Sequence, residues 1–441
     1  MLLTINLLKQ DFLTDEITIT LIDRNPESDL GPAYSSNEEC LLLNVPACRM
    51  GAFSAEPQHF LTWAQSKGIA ATPWDFLPRK LYREYIQELL QRAISERKKN
   101  ISLKRIQGEV TDIRVIEGKA EVFVNEKSFV ADKVVLALGN FPPRNLPIEN
   151  LSFLQSKRYV QNPWSEDLFQ SLSPNDPVIL IGTGQTTVDL LVRLHHQNHQ
   201  GKIIALSRHG LFPLTHSSFE QYPSFYGEIK NHVHVVDILR VIRNHFTKAE
   251  KIGLDKNAVI DSLRPYTQEL WFKLSLDEKR SFLRHLFRYF EIIRSRIPRE
   301  NASIPNQMLS SGQLTIIKGR ITDMVPASNH IEVHYLPHGN SEMKMETAAL
   351  IINTIGPETD YTKVDSLLIK NLLRRGFIET DPLHLGLNAM PNGTVINSDA
   401  AANNIFYTLG FTMRGILWEI LAAPEIRLQA EQLAPSLLLN T

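Results

Sequence analysis

Residues 177–208 read PVILIGTGQTTVDLLVRLHHQNHQGKIIALSR, and the rest of the chain is interpreted from this stretch. Val178-Ile179-Leu180-Ile181 is a short continuous apolar run, the pattern of a strand buried on both faces of a parallel sheet. Gly182-Thr183-Gly184 follows without a spacer, and the apolar periodicity over 185–195 predicts a helix. Gly201 ends that helix, and 202–207 reads as a second strand. Strand, tight glycine turn, helix and strand in this order make a dinucleotide-binding half-fold. The glycines let the backbone turn sharply and come within hydrogen-bond reach of a pyrophosphate. The helix start adds free N–H groups and the positive end of its dipole. Thr187 stands where the usual fingerprint has its third glycine. The plain alternative is a tight turn in a parallel sheet that holds no ligand.

The end of the second strand speaks to the nucleotide. An NAD site usually carries Asp or Glu there to hold the ribose 2′-OH. This chain has Ser207-Arg208-His209 instead. A hydroxyl and a guanidinium suit a 2′-phosphate, which favours NADP(H) over NAD(H). The bland reading of Arg208 is an ordinary solvated arginine.

The bulk numbers bound the function. A chain of 441 residues accommodates two or three domains. Its 43% hydrophobic and 22% charged residues are those of an ordinary soluble globular protein. A net charge of −1 gives no electrostatic case for nucleic acid or an anionic membrane. No apolar run approaches a transmembrane length, and the first 16 residues lack the basic start of a signal peptide. Cys40 and Cys48, the two cysteines, are not a CxxC pair, which argues against a redox dithiol and fits a reducing cytoplasm. No His/Cys/Asp cluster has metal-ligand spacing.

Along the chain, 1–9 reads as helix and 17–22 as a strand that ends in Asp23-Arg24. An acid at the end of such a strand is the ribose-binding residue of another dinucleotide fold. The first strand and glycine turn of that fold should precede the helix, so the N-terminus is expected to lack its first phosphate turn. Two helices are expected over 59–65 and 81–97. Segments 103–116, 121–125 and 127–130 suggest a small antiparallel sheet turning at 117–119. Residues 133–138 form an apolar strand ending in Gly139, and 348–355 repeat that pattern up to Gly356. Residues 161–168 lead into the nucleotide unit. A long helical insert, roughly 233–297, is rich in Arg and His: Arg280, Arg284, His285, Arg288, Arg294 and Arg296. Most of these suit a solvated face, with one or two available to a 2′-phosphate or an acidic substrate. Strands are expected over 314–321, 331–335, 394–397 and 405–410, and a helix over 412–422. The start of that helix, Thr412-Met413-Arg414-Gly415, is placed to face an anionic ring or phosphate.

Taken together, LLNVPACRMGAF, LALGNFPP, VILIGTGQTTVD, ALSRHGLFP, INTIGPE, FYTLGFTMRG and WEILAAPEIR resemble the bacterial FAD/NAD(P)-binding protein family of two-dinucleotide-domain flavoproteins. GTGQTTVD is also similar to the NADPH turn of flavin-dependent N-hydroxylating monooxygenases. The resemblance spans nearly the whole chain. It implies an α/β fold of two Rossmann-like domains, the second inserted into the first. FAD would be bound by 1–150 with 345–441. NADP(H) would be bound by 151–344, with a helical insert over about 213–300. The flavin contacts implied are Asp23, Arg24, Arg49, Met50, Val110, Gly139, Gly410 and Thr412, with Gly356 at a corresponding strand end. The NADP contacts implied are Gly182, Thr183, Gly184, Gln185, Thr186, Ser207 and Arg208. Two departures stand out: the family's N-terminal GxGxxG is absent, and Phe411 rather than Asp follows Gly410.

The expected activity is NADPH-dependent FAD oxidoreduction, with monooxygenation of a small organic substrate as the favoured subtype and the flavin carrying the chemistry. No side chain stands out as an acid or base. The alternative is a degenerate relative that binds NADP(H) or a partner protein without flavin catalysis, which the missing glycine turn favours.

Overall fold

The computed structural model describes the chain apart from residues 11–14, 25–29, 166, 217–219 and 440–441. Parts of the expected N-terminal stretch, of the lead-in at 161–168 and of the insert at 213–300 therefore lie outside the described residues. The larger sheet has seven strands in the spatial order Lys344–Ala348, Ile331–Pro337, Leu314–Pro326, Ile203–Ser207, Val178–Ile181, Leu350–Asn353, Tyr159–Val160. From Leu314–Pro326 to Tyr159–Val160 every pairing is parallel. The other two strands add an antiparallel hairpin.

Val178–Ile181 is buried along its whole length, and its side chains alternate between two cores. Val178 and Leu180 join Leu190, Leu191 and Leu194 of the following helix, Gln185–His196. Ile179 and Ile181 join Phe153, Tyr159 and Ile351 on the other face. This period of two is what a doubly covered strand requires. From Val178–Ile181 the chain steps to Ile203–Ser207 on one side, while Leu350–Asn353 lies on the other. That reversal makes the carboxyl end of Val178–Ile181 a topological switch point, where open α/β sheets form their crevice.

Smaller sheets make up the remainder. Ile17–Asp23 pairs in parallel with Ile101–Gln107. Val134–Leu136 pairs in parallel with Ala402–Thr408, which is antiparallel to Thr394–Ile396. Ile17–Asp23 and Val134–Leu136 are each paired on one side only. The strands Val110–Ile116, Lys119–Val124 and Lys127–Ala131 form an antiparallel meander. Helix Leu2–Leu8, helix Arg79–Glu96 and helix Ala423–Leu439 share one apolar core, in which Ile5, Leu8, Ile86 and Leu90 are each 1% exposed or less.

Two expectations are corrected. The segment 103–116 is not one arm of the antiparallel sheet: Ile101–Gln107 joins Ile17–Asp23, and only Val110–Ile116 enters the meander. The break falls at Gly108, whose N–H donates to Asp23 O at 3.0 Å. Leu350–Asn353 pairs in parallel with Val178–Ile181 in the larger sheet. The helix expected over 412–422 is a 3₁₀ turn, Gly410–Met413, and a short helix, Arg414–Leu417, ended at Trp418 with φ +57°. The long helix begins at Ala423 instead, with Pro424 in the first turn where a missing N–H costs nothing.

The insert is helical as expected, from Val235–Lys251 through Lys256–Leu263, Thr267–Lys273 and Leu276–His285 to Phe287–Arg294. It docks on the 414–418 turn. Trp271 stacks on Trp418 with ring centroids 4.4 Å apart, and its indole N–H donates to Gly415 O at 2.8 Å. A buried ion pair also ties the two halves: Arg79 on helix Arg79–Glu96 donates to both carboxylate oxygens of Asp189 on helix Gln185–His196, each at 2.9 Å. Among the described residues, no helix is long and apolar enough to cross a membrane.

Candidate functional site

One cleft of about 2960 Å³ runs between the smaller sheets, the larger sheet and the insert. Pockets for a single drug-sized ligand span roughly 300–1,000 Å³, so this one has room for more than one. Its walls are strand ends. Gly139 follows Val134–Leu136, Gly182 and Gly184 follow Val178–Ile181, Gly356 follows Leu350–Asn353, and Gly410 follows Ala402–Thr408; all five line it. At Gly139, Gly184, Gly356 and Gly410 a Cβ would meet no atom within 4 Å, so the backbone there opens onto free space.

The turn after Val178–Ile181 is held firmly. Gly182 has φ +129°, and a Cβ there would lie 2.7 Å from both O and Oγ1 of Thr354. Only glycine fits this crossing. Thr187, in place of the third glycine, is fully buried and donates to Gly182 O at 3.0 Å, with Thr354 Oγ1 at 2.8 Å. The hydroxyl thus braces the turn where a glycine would have allowed closer packing. Among the described residues, no side chain caps the start of helix Gln185–His196. Its first-turn N–H groups face the cleft with Gly184, Gln185 and Thr186 in the wall. Gln185 Nε2 donates to Arg296 O at 3.1 Å, linking this turn to the insert. Thr183 Oγ1 lies 3.0 Å from Ser207 Oγ, which accepts from Gly210 N at 3.0 Å. Ser207 therefore also shapes the loop after its strand.

Arg208 is exposed and lines the cleft. Burial, and then the charges of Arg288 and Arg144, work against its own charge. His209 is held below the usual histidine range by burial and by Arg208, Arg288 and Lys318. Arg144, Arg208, His209 and Arg288 all line the same wall. Among the described residues, neither Arg144 nor Arg208 has a carboxylate within 4.0 Å, whereas Arg288 meets Glu291 at 2.8 Å. The sequence pointed to Arg208 and to one or two unspecified members of the insert's six Arg and His residues, of which Arg288 is one. It carried no signal for Arg144, which follows Pro142-Pro143 in an irregular segment.

On the other side, Asp23, Arg24 and Val110 line the cleft at the ends of their strands. Arg24 donates to Glu109 Oε1 at 2.6 Å in a solvent-exposed pair. The one-sided edges of Ile17–Asp23 and Val134–Leu136 both line it as well. Arg49, Met50 and Thr412 do not. Met50 is 1% exposed in the core under helix Leu2–Leu8. Arg49 lies over the Trp74 ring at 5.6 Å. Thr412 is fully buried, with its hydroxyl 2.6 Å from Thr408 Oγ1 and donating to Leu409 O at 3.0 Å. Of that turn, Gly410, Phe411 and Arg414 line the cleft.

Residues 1–141 match the family described as FAD-NAD(P)-binding. No curated protein sequence matches the chain. Among solved structures, the chain is similar to the ornithine N-hydroxylase of Kutzneria sp. 744, solved with reduced FAD, NADP+ and L-ornithine. The identity is 14%, over 99% of this chain and 95% of that one, with a TM-score of 0.64. It is similar to the L-lysine 6-monooxygenase of Pseudomonas syringae at 13% identity, over 94% and 90% of the two chains, with a TM-score of 0.60. The bacillithiol disulfide reductase of Staphylococcus aureus aligns at 10% identity over 100% and 95%, with a TM-score of 0.56. Residues 1–141 are thus similar to that family, and the chain shares the two-dinucleotide-binding-domain fold of these solved structures.

Proposed function

We propose that this chain is an NADPH-dependent FAD oxidoreductase acting as a monooxygenase on a small organic substrate. The observation that carries this reading is the convergence of glycine strand ends from separate sheets on one cleft, beside an uncapped helix start and a cluster of arginines. The N-hydroxylating and reductase neighbours share this fold, and the first of them holds both cofactors with its substrate.

The residues fit an NADP(H) dinucleotide. The open face at Gly184 lets its diphosphate approach the N–H groups of Gln185 and Thr186. Arg208, Arg144 and Arg288 would take the 2′-phosphate, a dianion that relieves their mutual repulsion. His209, held below the usual histidine range by burial and by those cations, lines the same cleft. On the flavin side, Asp23 would hold the adenosine ribose, and Gly139, Gly356 and Gly410 would let the second cofactor lie against bare backbone. When bound, FAD supplies the redox chemistry, accepting hydride from NADPH and passing electrons to an acceptor or O₂. The protein's part is to bring the two ring systems together and to keep water away with the insert.

A second reading, NADP(H) or partner binding without flavin catalysis, is favoured by one observation. Ile17–Asp23 and Val134–Leu136 belong to separate sheets. Purification with added FAD separates the two. The flavoprotein reading expects a yellow protein that NADPH bleaches faster than NADH. A protein that stays colourless with FAD while binding NADP+ leaves only the second reading standing.

A further inference from the structure

Phe287 and Ile292 of the insert line the cleft together with Phe411, Arg414 and Leu421. The Arg414 guanidinium lies over the rings of Phe287 and Trp418, each at 5.2 Å, and of Phe411 at 5.7 Å. Its Nε is closed off from solvent and has no hydrogen-bond partner. The acids around it are engaged elsewhere. Glu291 pairs with Arg288 at 2.8 Å, and Glu419 accepts from Arg294 Nε at 2.9 Å. Among the described residues, no carboxylate comes within 4.0 Å of Arg414.

A half-buried cation without a counter-ion is costly, and an anion arriving with a ligand removes that cost. The aromatic faces fix the guanidinium plane by cation–π contact and leave its donor edge free for a bidentate acceptor. Beside it the cleft has the apolar side chains Leu283, Phe287, Ile292, Phe411 and Leu421 in its lining. We propose that Arg414 is the receptor for the carboxylate of the organic substrate, whose apolar body lies against Phe287, Ile292 and Leu421. One uncompensated positive charge selects a monoanion. This rests on the flavoprotein reading, because Gly410 at the start of the same turn is where a flavin would lie. Helix Phe287–Arg294 supplies both Phe287 and the Arg288–Glu291 pair, so one element lining the cleft carries both the ring and the charges.

Trp418 provides a native reporter. FAD-supplemented protein is titrated with hexanoate, with benzoate and with uncharged hexanamide, following tryptophan fluorescence. Saturable binding of a carboxylate at least about tenfold tighter than hexanamide is expected, lost in Arg414→Met and kept in Arg414→Lys. Equal affinity for hexanoate and hexanamide, no saturable carboxylate binding, or unchanged carboxylate affinity in a folded Arg414→Met would each overturn the assignment. So would a loss of FAD from Arg414→Met with carboxylate affinity intact, which would give the cation to the flavin. Wild-type protein that bleaches with NADPH but fails to prefer carboxylates refutes Arg414 alone. Protein that takes up neither FAD nor NADPH refutes the reading beneath it.

Discussion

Replacing Gly184 by alanine separates a turn shaped by its ligand from one shaped only by packing. At Gly184 φ is −87°, ordinary for any residue, and a Cβ meets nothing within 4 Å. The fold should accept Gly184→Ala at about 0.5 kcal/mol, the size of a poorer helix N-cap. That is a fall in Tm of roughly 1–2 °C for a domain of this size. The methyl group would nevertheless stand in the space through which a diphosphate reaches Gln185 N and Thr186 N. Losing one charge-assisted hydrogen bond is worth about 1.5–3 kcal/mol, or roughly 10–150-fold in NADP+ affinity. Gly182→Ala is the control. Its methyl would press on Thr354 at 2.7 Å, from a backbone with φ +129°. Strain and overpacking there amount to about 3 kcal/mol, or a Tm lower by roughly 6–12 °C. Thermal unfolding and NADP+ calorimetry on the same preparations test both variants. If Gly184→Ala binds NADP+ as tightly as the wild type, the free space at that turn is not a phosphate seat and the nucleotide assignment is wrong.

Arg208→Glu should cut the preference for NADPH over NADH at least about tenfold in flavin-bleaching rates; an unchanged ratio removes Arg208 from the 2′-phosphate site. Asp189→Ala leaves Arg79, 7% exposed, without its buried partner and should cost about 3–5 kcal/mol. Arg79→Met with Asp189→Leu should recover most of that loss, which a double-mutant cycle in urea would measure. His216 is held down to about 4 by burial and by Arg296. It stays neutral in the fold while the unfolded chain protonates below about pH 6.5. Its contribution, about 3 kcal/mol, is therefore present at neutral pH and lost as pH falls from about 6.5 to 4. His216→Phe should flatten the pH profile of stability across that window; a variant with the wild-type slope would show that His216 is not responsible.

Each strand-then-glycine pattern was legible because it is local. The apolar run, the turn and the helix start lie within about ten residues, and their periods distinguish strand from helix. The same logic found Asp23 at a strand end. It did not find the true helix Ala423–Leu439, because Trp418 in left-handed geometry interrupts a segment whose composition alone reads as continuous helix. Nor did it separate Ile101–Gln107 from Val110–Ile116, since alternation is the same in parallel and antiparallel strands.

By itself, the sequence determined that two dinucleotide-type turns are present or implied, that Val178–Arg208 forms one of them, and that its strand ends in a cation rather than an acid. Only the tertiary structure decided which strands neighbour one another. It placed Leu350–Asn353 beside Val178–Ile181 and left Ile17–Asp23 and Val134–Leu136 in separate sheets. It also brought Arg144 and Arg288 to Arg208, seated Arg414 among three aromatic rings, and turned Arg49, Met50 and Thr412 away from the cleft. Turn chemistry acts over a few bonds and is written in adjacent residues. Charge clusters and sheet edges depend on register and packing between segments far apart in the chain, which no local pattern encodes.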